Sequence, residues 1–356
     1  MATAALIAER AARFDPSHEV GVGFVGEATT HFRQYDDLRT LLEAEGSKRG
    51  VPLTIGIRIS NATTMCEPSV RARLAEFVTP GSTILVSLDG PAEAHDAIRV
   101  HPDGRGTYAE VIAGIQRLRE CGTELAVAAV VSSLFPDVSE VYFHLLELGV
   151  GRIEVKPVRA RPQEPHYIGH SLDAICAGYD RLVQRLLSIP DERLLRALRA
   201  MIGWGAVDYF TRFLIRIKER HALNRRCNSW IDGVSVHTDG RLYGCHSLLG
   251  VPEACIGSVW EGLDEARVQE LHDSLDISRR EPCNKCWARF LCGGGCMHQS
   301  YLTFGSFCPP DPAECALNQH LIELAISLYA ELKRARPAVL AELQRSAVGA
   351  SSSHPR

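Results

Sequence analysis

The first part of the chain alternates between segments with a helical spacing of apolar residues and short, nearly continuous apolar runs. The runs predict strands, and a helical segment precedes each of them. The predicted strands are residues 19–25, 53–60, 83–87, 125–132 and 152–155. Strands and helices that alternate at this spacing favour parallel strands with right-handed crossovers. Five strands are too few for a closed eight-stranded barrel, so the pattern predicts an α/β fold with a partial (β/α) barrel.

The remainder of the chain has a different pattern. Apolar residues recur at helical spacing through residues 161–226, which predicts a helical connection. Two short segments then flank Thr238-Asp239-Gly240, and an Asp-Gly pair in that position predicts a β-hairpin. A further helix is predicted at 319–334. The division that follows is a partial barrel at 1–160, the connection at 161–226, a cysteine-rich domain at 227–335 and a disordered tail at 336–356.

Composition narrows the class of protein. The chain has 356 residues, 46% of them hydrophobic, and a net charge of -4. It therefore predicts a globular protein without the basic surface that binds nucleic acid or an anionic membrane. Charges interrupt the apolar residues at the start, and no apolar run approaches the roughly 18 residues of a membrane helix. We expect a cytoplasmic protein, whose thiols stay reduced and are free to bind metal.

Cysteines are concentrated in the last third of the chain. Nine of the twelve lie between Cys227 and Cys315. Six of them form two elements, Cys227-x12-Gly240-x4-Cys245 and a second one with spacers of two, five and three residues, which ends in three glycines and a cysteine. The four cysteines of that second element are Cys283, Cys286, Cys292 and Cys296. Cys315 follows as a seventh thiol, and Cys255 and Cys308 lie outside this pattern. Closely spaced thiolates predict a metal site, and seven thiols suit two four-iron clusters. Zinc is the alternative, because tetrahedral thiolate sites also bind it.

These elements, in this order, resemble the SPASM domain of radical S-adenosylmethionine (SAM) enzymes, a family that includes peptide and protein maturases. The resemblance implies two auxiliary [4Fe-4S] clusters. It assigns the first cluster to Cys227, Cys245 and Cys296, with a fourth position that is open or filled by Cys308 or Cys255. It assigns the second cluster to Cys283, Cys286, Cys292 and Cys315.

The resemblance extends more weakly to the first half. Ser87-Leu-Asp-Gly-Pro91 is similar to a stretch of the family's barrel, and Gly26 and Glu27 lie where the family has a Gly-Gly-Glu-Pro loop that holds the amino group of SAM. The family's Cys-x3-Cys-x2-Cys loop and the strand before it have no counterpart in the printed sequence. The resemblance therefore implies an incomplete barrel without its first strand, and a chain that by itself does not cleave SAM.

Three functions follow as hypotheses. The first is an iron–sulfur accessory or degenerate subunit of peptide maturation, which holds a peptide or protein substrate or relays electrons for a partner maturase or an electron-donor protein. The second is an active maturase whose sequence is truncated at its start. The third is a zinc-stabilised binding module. An interface with a partner is expected along the strand at residues 19–25, which the missing first strand would leave at a sheet edge.

One polar group outside the cysteine region allows two interpretations. Asp89, His95, Asp96 and Arg99 follow a predicted strand closely. They form either a catalytic carboxylate–histidine set or a loop that is fixed by hydrogen bonds and ion pairs.

Overall fold

A computed structural model describes most of the chain. The described residues are 2–11, 20–23, 31–51, 53–56, 58–59, 62–76, 83–120, 124–203, 208–227, 229–230 and 233–350. Gly26, Glu27 and the end of the predicted strand at 53–60 lie outside them. None of the helices among these residues is long and apolar enough to cross a lipid bilayer.

Parallel strands form the centre of the first half, as the alternation of strands and helices predicts. The strands are β1 (Val20–Gly23), β2 (Leu53–Gly56), β3 (Arg58–Ile59), β4 (Thr83–Ser87), β5 (Glu124–Val131) and β6 (Arg152–Pro157). β1 pairs with β2, and β3 to β6 pair in chain order, all in parallel. β2 and β3 together occupy the single strand predicted at 53–60. β1 pairs with a strand on one side only within the described residues.

Helices connect these strands. They are α1 (Ala2–Ala11), α2 (Phe32–Arg49), α3 (Pro68–Ala75), α4 (Ala92–Asp96), α5 (Tyr108–Glu120) and α6 (Val138–Glu147). α5 shows why such segments fold as they do: Val111, Ile115 and Leu118 share one face of the helix and are at most 2% exposed. Burial of that apolar face supplies most of the stability of a helix of this length.

A helical connection follows, as predicted. It consists of α7 (Leu172–Ser188), α8 (Asp191–Ile202) and α9 (Thr211–Glu219). The predicted hairpin is also present, with β7 (Ser235–Val236) antiparallel to β8 (Arg241–Tyr243). β9 (Cys255–Ser258) and β10 (Gly262–Leu263) extend it to a four-stranded sheet. The remaining helices are α10 (Glu265–Ser274), α11 (Arg289–Cys292), α12 (Met297–Phe304), α13 (Pro312–Ala335) and α14 (Pro337–Ala350).

The predicted disordered tail is wrong where the structure describes it. α14 begins directly after α13, and its Val339, Leu340 and Leu343 are buried in the core. Small and polar residues near the end of the sequence suggest disorder, but these three apolar residues recur at helical spacing and pack against the rest of the protein. α13 also begins earlier than the predicted 319, because the Asp311 carboxylate caps it by accepting a hydrogen bond from the Glu314 backbone N–H.

Two hydrophobic cores hold these elements together. The larger one contains residues of the parallel sheet, of α5 to α9 and of α13 and α14. The smaller one lies in the cysteine-rich region around Trp230, Leu242 and Ile256, and Leu6 of α1 packs against it. α13 therefore packs with the helical connection although it follows the cysteines in sequence. The domain division given above stays a prediction.

Candidate metal centre

The second cysteine element folds as a chain of short turns. A single 3-10 turn covers Cys283–Lys285, α11 ends at Cys292, and Cys296 directly precedes α12. Gly293, Gly294 and Gly295 lie between these helices with φ angles of 77°, 98° and 77°. A Cβ atom at Gly293 would lie 2.7 Å from the Arg226 Cα atom. Only glycine fits this turn, since it combines left-handed backbone angles with close contact.

The first predicted thiol group comes together across the hairpin. Burial raises the pKa of the Cys245 thiol, and the nearby thiols of Cys296 and Cys227 raise it further. The Sγ atom of Cys227 lies 3.2 Å from the hydroxyl oxygen of Ser229. The thiols of Cys227 and Cys296 thus lie close enough to Cys245 to affect its pKa, although Cys245 and Cys296 are far apart in sequence.

The second predicted group also comes together. Burial raises the pKa of Cys283, and the thiols of Cys292 and Cys286 add to the increase. Burial raises the pKa of Cys315 to about 12, with further contributions from Cys292, Glu314 and Cys283. α13 thereby brings Cys315 to the three cysteines of the distant turn.

Two amides on α13 face the sulfur atoms of this group. Asn318 Nδ2 donates to Cys292 Sγ over 3.5 Å, and Gln319 Nε2 donates to Cys286 Sγ over 3.8 Å. N–H donors around thiolates are the contacts that orient metal ligands and adjust the potential of iron–sulfur clusters. The donor chemistry of both groups therefore suits a thiolate-bound metal. Among the described residues, no three His, Cys, Asp or Glu side chains converge tightly enough to hold a single metal ion.

The two proposed extra ligands have other neighbours. The thiol of Cys308 is exposed and lies 4.0 Å from the carbonyl oxygen of Ser274. The Cys255 Sγ atom lies 3.5 Å from the carbonyl oxygen of Gly257. Neither contact identifies a fourth ligand for the first group.

Between the two thiol groups lies a buried carboxylate that the sequence analysis missed. Glu314 is fully buried. Its Oε1 atom accepts hydrogen bonds from Arg159 Nη1 at 2.9 Å and from the Tyr209 hydroxyl at 2.7 Å, and it lies 3.1 Å from Arg226 Nη1. Burial acts to raise the pKa of Glu314, but the charges of Arg159 and Arg226 outweigh it and hold the pKa well below its ordinary value.

Other arginines lie near the second thiol group. Arg212 is 7% exposed and stacks over the Tyr209 ring, with its Cζ atom 3.6 Å from the ring centroid. Burial, followed by the charges of Arg212 and Arg226, lowers the pKa of Arg216 to about 9. Arg280 is 3% exposed and donates to the hydroxyl of Ser300 at 2.9 Å and to three backbone carbonyls. One feature of the sequence could have pointed to these charged residues, namely their place beside proposed ligands: Arg226 directly precedes Cys227, and Glu314 directly precedes Cys315.

The polar group after β4 fixes a loop. Asp89 is 1% exposed, and its carboxylate accepts from Arg99 Nε at 2.5 Å and from the Val130 backbone N–H at 2.8 Å. Asp96 accepts from the Tyr108 backbone N–H at 2.8 Å. These contacts satisfy the carboxylates within the loop and support the structural interpretation over the catalytic one.

Solved structures of anSMEcpe, an anaerobic sulfatase-maturating enzyme of the radical SAM/SPASM type, are similar to this chain. The structure with AdoMet and a peptide called Kp18Cys gives a TM-score of 0.70 at 17% identity and covers 93% of this chain and 88% of its own. The structure with AdoMet alone gives 0.71 at 18% identity, covering 92% and 88%. The chain has a fold similar to that of a radical SAM/SPASM enzyme. At this identity the likeness concerns the fold alone.

A further solved structure of anSMEcpe, with AdoMet and a peptide called Cp18Cys, gives a TM-score of 0.68 at 17% identity and covers 92% of this chain and 89% of its own. Neither a protein-family model nor a curated protein sequence matches the chain.

Proposed function

We propose that the chain is an iron–sulfur protein of the radical SAM/SPASM type that acts in the maturation of a peptide or protein. The observation that carries this proposal is the grouping of the thiols: the fold brings together Cys227, Cys245 and Cys296, and separately gathers four cysteines from two distant segments. The members of the second group are Cys283, Cys286, Cys292 and Cys315. This grouping supports the two ligand sets that the resemblance to the SPASM domain implies.

In this proposal each group holds one auxiliary [4Fe-4S] cluster. Such a cluster places four irons at separate corners, so its thiolates surround a volume instead of converging on one point. Among the described residues, the thiols of the first group lie near enough to affect the pKa of Cys245 but do not converge on a single metal ion, which suits that arrangement. When bound, the clusters supply sites that accept and donate single electrons. The chain's thiolates would hold the clusters, and Asn318 and Gln319 donate N–H groups to two ligands of the second one.

We further propose that the first half is a partial (β/α) barrel that faces a peptide. The strands follow one another in chain order and in parallel, and the loops at the carboxyl ends of such strands carry the function of barrel enzymes. Two anSMEcpe structures contain a peptide together with AdoMet. The role we propose for the chain as printed is accessory: it holds a substrate or relays electrons beside a partner maturase or electron donor.

Anaerobic reconstitution with iron and sulfide, followed by metal analysis, tests the proposal. We expect about eight irons per chain, as two four-iron clusters require, and no 5′-deoxyadenosine when SAM and a reductant are added to this chain alone. Formation of 5′-deoxyadenosine would instead establish an active maturase. Colourless protein with stoichiometric zinc would select the binding module and overturn the iron–sulfur proposal.

A further inference from the structure

Among the described residues, more arginines than carboxylates lie around the thiol groups: Arg212 is buried, and Arg159 and Arg226 are partly buried. Arg159 and Arg226 share Glu314 as their partner. Arg212 has no ion pair with a carboxylate among the described residues; its guanidinium instead donates to Asn318 Oδ1 at 2.9 Å and stacks on aromatic rings. An unpaired guanidinium is costly to bury unless a negative charge lies near it.

A short chain of contacts leads from Arg212 to a proposed cluster ligand. Arg212 Nη2 donates to Asn318 Oδ1, and Asn318 Nδ2 donates to Cys292 Sγ over 3.5 Å. Asn318 is 1% exposed. The arginine therefore fixes the orientation of the amide, so that its N–H points at the sulfur. The positive charge of Arg212 and the N–H of Asn318 both favour negative charge at Cys292.

The position of Arg212 is rigid. It lies in the first turn of α9, which packs against α13, the helix that carries Asn318 and Cys315. Its guanidinium lies over the rings of Tyr209 and Phe213, with centroid distances of 3.6 and 4.5 Å. Contact with two aromatic rings limits the freedom of the guanidinium, so its charge acts from a nearly fixed place.

We propose that Arg212 is a positioning residue that raises the reduction potential of the cluster held by the second thiol group. Reduction adds negative charge to a cluster, and a fixed buried cation stabilises the more negative state. Arg212 acts through Asn318 and Cys292 and does not touch the metal. This inference rests on the proposed iron–sulfur function and adds a residue that the cysteine pattern does not contain.

A redox titration of the reconstituted full-length protein, monitored by electron paramagnetic resonance, tests the proposal. In Arg212→Gln we expect the potential of one cluster to fall, so that its reduced-to-oxidised ratio at a fixed potential drops about tenfold, equivalent to about 59 mV for one electron. The other cluster should titrate as in the wild type. Arg212→Lys keeps the charge and should restore most of the potential.

The matched control is Arg193→Gln, which removes an exposed arginine of α8 and should leave both potentials unchanged. An equal shift in that variant would show a general effect of charge and would overturn the proposal. Unchanged potentials of both clusters in Arg212→Gln would overturn the proposal as well. Loss of one cluster, with the other titrating as in the wild type, would also overturn it, because Arg212 would then retain the cluster and not adjust its potential.

Arg212→Gln could also fail to fold, and Asn318→Leu covers that case. This variant keeps the approximate shape of the side chain, adds no charge and breaks the contacts that lead from Arg212 to Cys292. A lowered potential of one cluster would support the proposal, and unchanged potentials would reject it. A wild-type protein that binds no iron would contradict the proposed function itself, which separates that failure from a failure of the role of Arg212.

Discussion

Glu314 Oε2 accepts a hydrogen bond of 2.8 Å from the backbone N–H of Cys296. Glu314 directly precedes Cys315 in α13, so one side chain connects a ligand of the first proposed cluster to a ligand of the second. The same carboxylate pairs with Arg159, which follows β6, and with Arg226, which precedes Cys227. Glu314 thus joins the parallel sheet to both thiol groups.

Replacement of this carboxylate should be strongly destabilising. Glu314→Gln leaves Arg159 and Arg226, which are partly buried, without their counter-charge, and we expect a loss of about 3 kcal/mol in the free energy of unfolding, the low end for a broken buried pair. The measurement is urea denaturation of the full chain under anaerobic conditions. Glu331→Gln is the control, because the Glu331–Arg334 pair is exposed and should contribute about 0–1 kcal/mol. Equal stability of the two variants would contradict the role given to Glu314.

The cysteine groups predict selective loss of iron. Cys292→Ala should remove one cluster and about half of the bound iron, because it deletes one of four ligands of the second group. Cys176→Ala is the control: Cys176 lies on α7, where burial raises the pKa of its thiol to about 11, and its loss should leave the iron content unchanged. Iron analysis of the two reconstituted variants measures this difference in iron content. Full iron loading of Cys292→Ala would refute its assignment as a ligand.

The loop after β4 predicts a dependence of stability on pH. His95 Nδ1 accepts from the Asp89 backbone N–H at 3.2 Å, and His95 Nε2 lies 3.0 Å from the Thr107 hydroxyl. Thr107 donates that hydroxyl to the Arg99 carbonyl, which leaves the Nε2–H as the donor of a neutral ring. Burial, aided by Arg99, lowers the pKa of His95 even though Asp89 opposes the shift.

A histidine whose folded pKa lies below its unfolded value of about 6.5 stabilises the fold above that pH. As the pH falls below about 6.5, the unfolded chain binds the proton first and the stability decreases. We expect the urea concentration at the unfolding midpoint to decrease as the pH is lowered from 7.5 to 5.5. In His95→Gln this decrease should be smaller. If His95→Gln shows the full dependence, other groups produce it and the assignment to His95 is wrong.

Close packing of α5 predicts that one glycine does not tolerate a methyl group. A Cβ atom at Gly114 would lie 2.0 Å from the carbonyl oxygen of Ala62, whereas a Cβ atom at Gly233 would meet nothing within 4 Å. Gly114→Ala should cost about 1–3 kcal/mol in unfolding free energy, because the backbone has to shift. Gly233→Ala should change stability little. Thermal denaturation of both variants tests the difference, and a stable Gly114→Ala protein would show that the 62–66 turn moves aside.

The sequence by itself determined the elements whose signals are local. Apolar runs and helical spacing predicted the parallel strands and their helices, and Asp239-Gly240 predicted the hairpin, because backbone and side-chain periodicity act over a few residues. The division of the cysteines into two ligand sets came from the resemblance to the SPASM domain, and it stays a prediction. The assignment of metals to those thiols stays a prediction.

Only the tertiary structure decided which distant residues meet. Nothing in the sequence analysis singled out Glu314, yet it is fully buried beside Arg159 and Arg226. The sequence analysis predicted a disordered tail at 336–356, yet apolar residues of α14 pack against the core. Burial and charge pairing depend on what the fold brings to a side chain from elsewhere in the chain, and no local pattern contains that information.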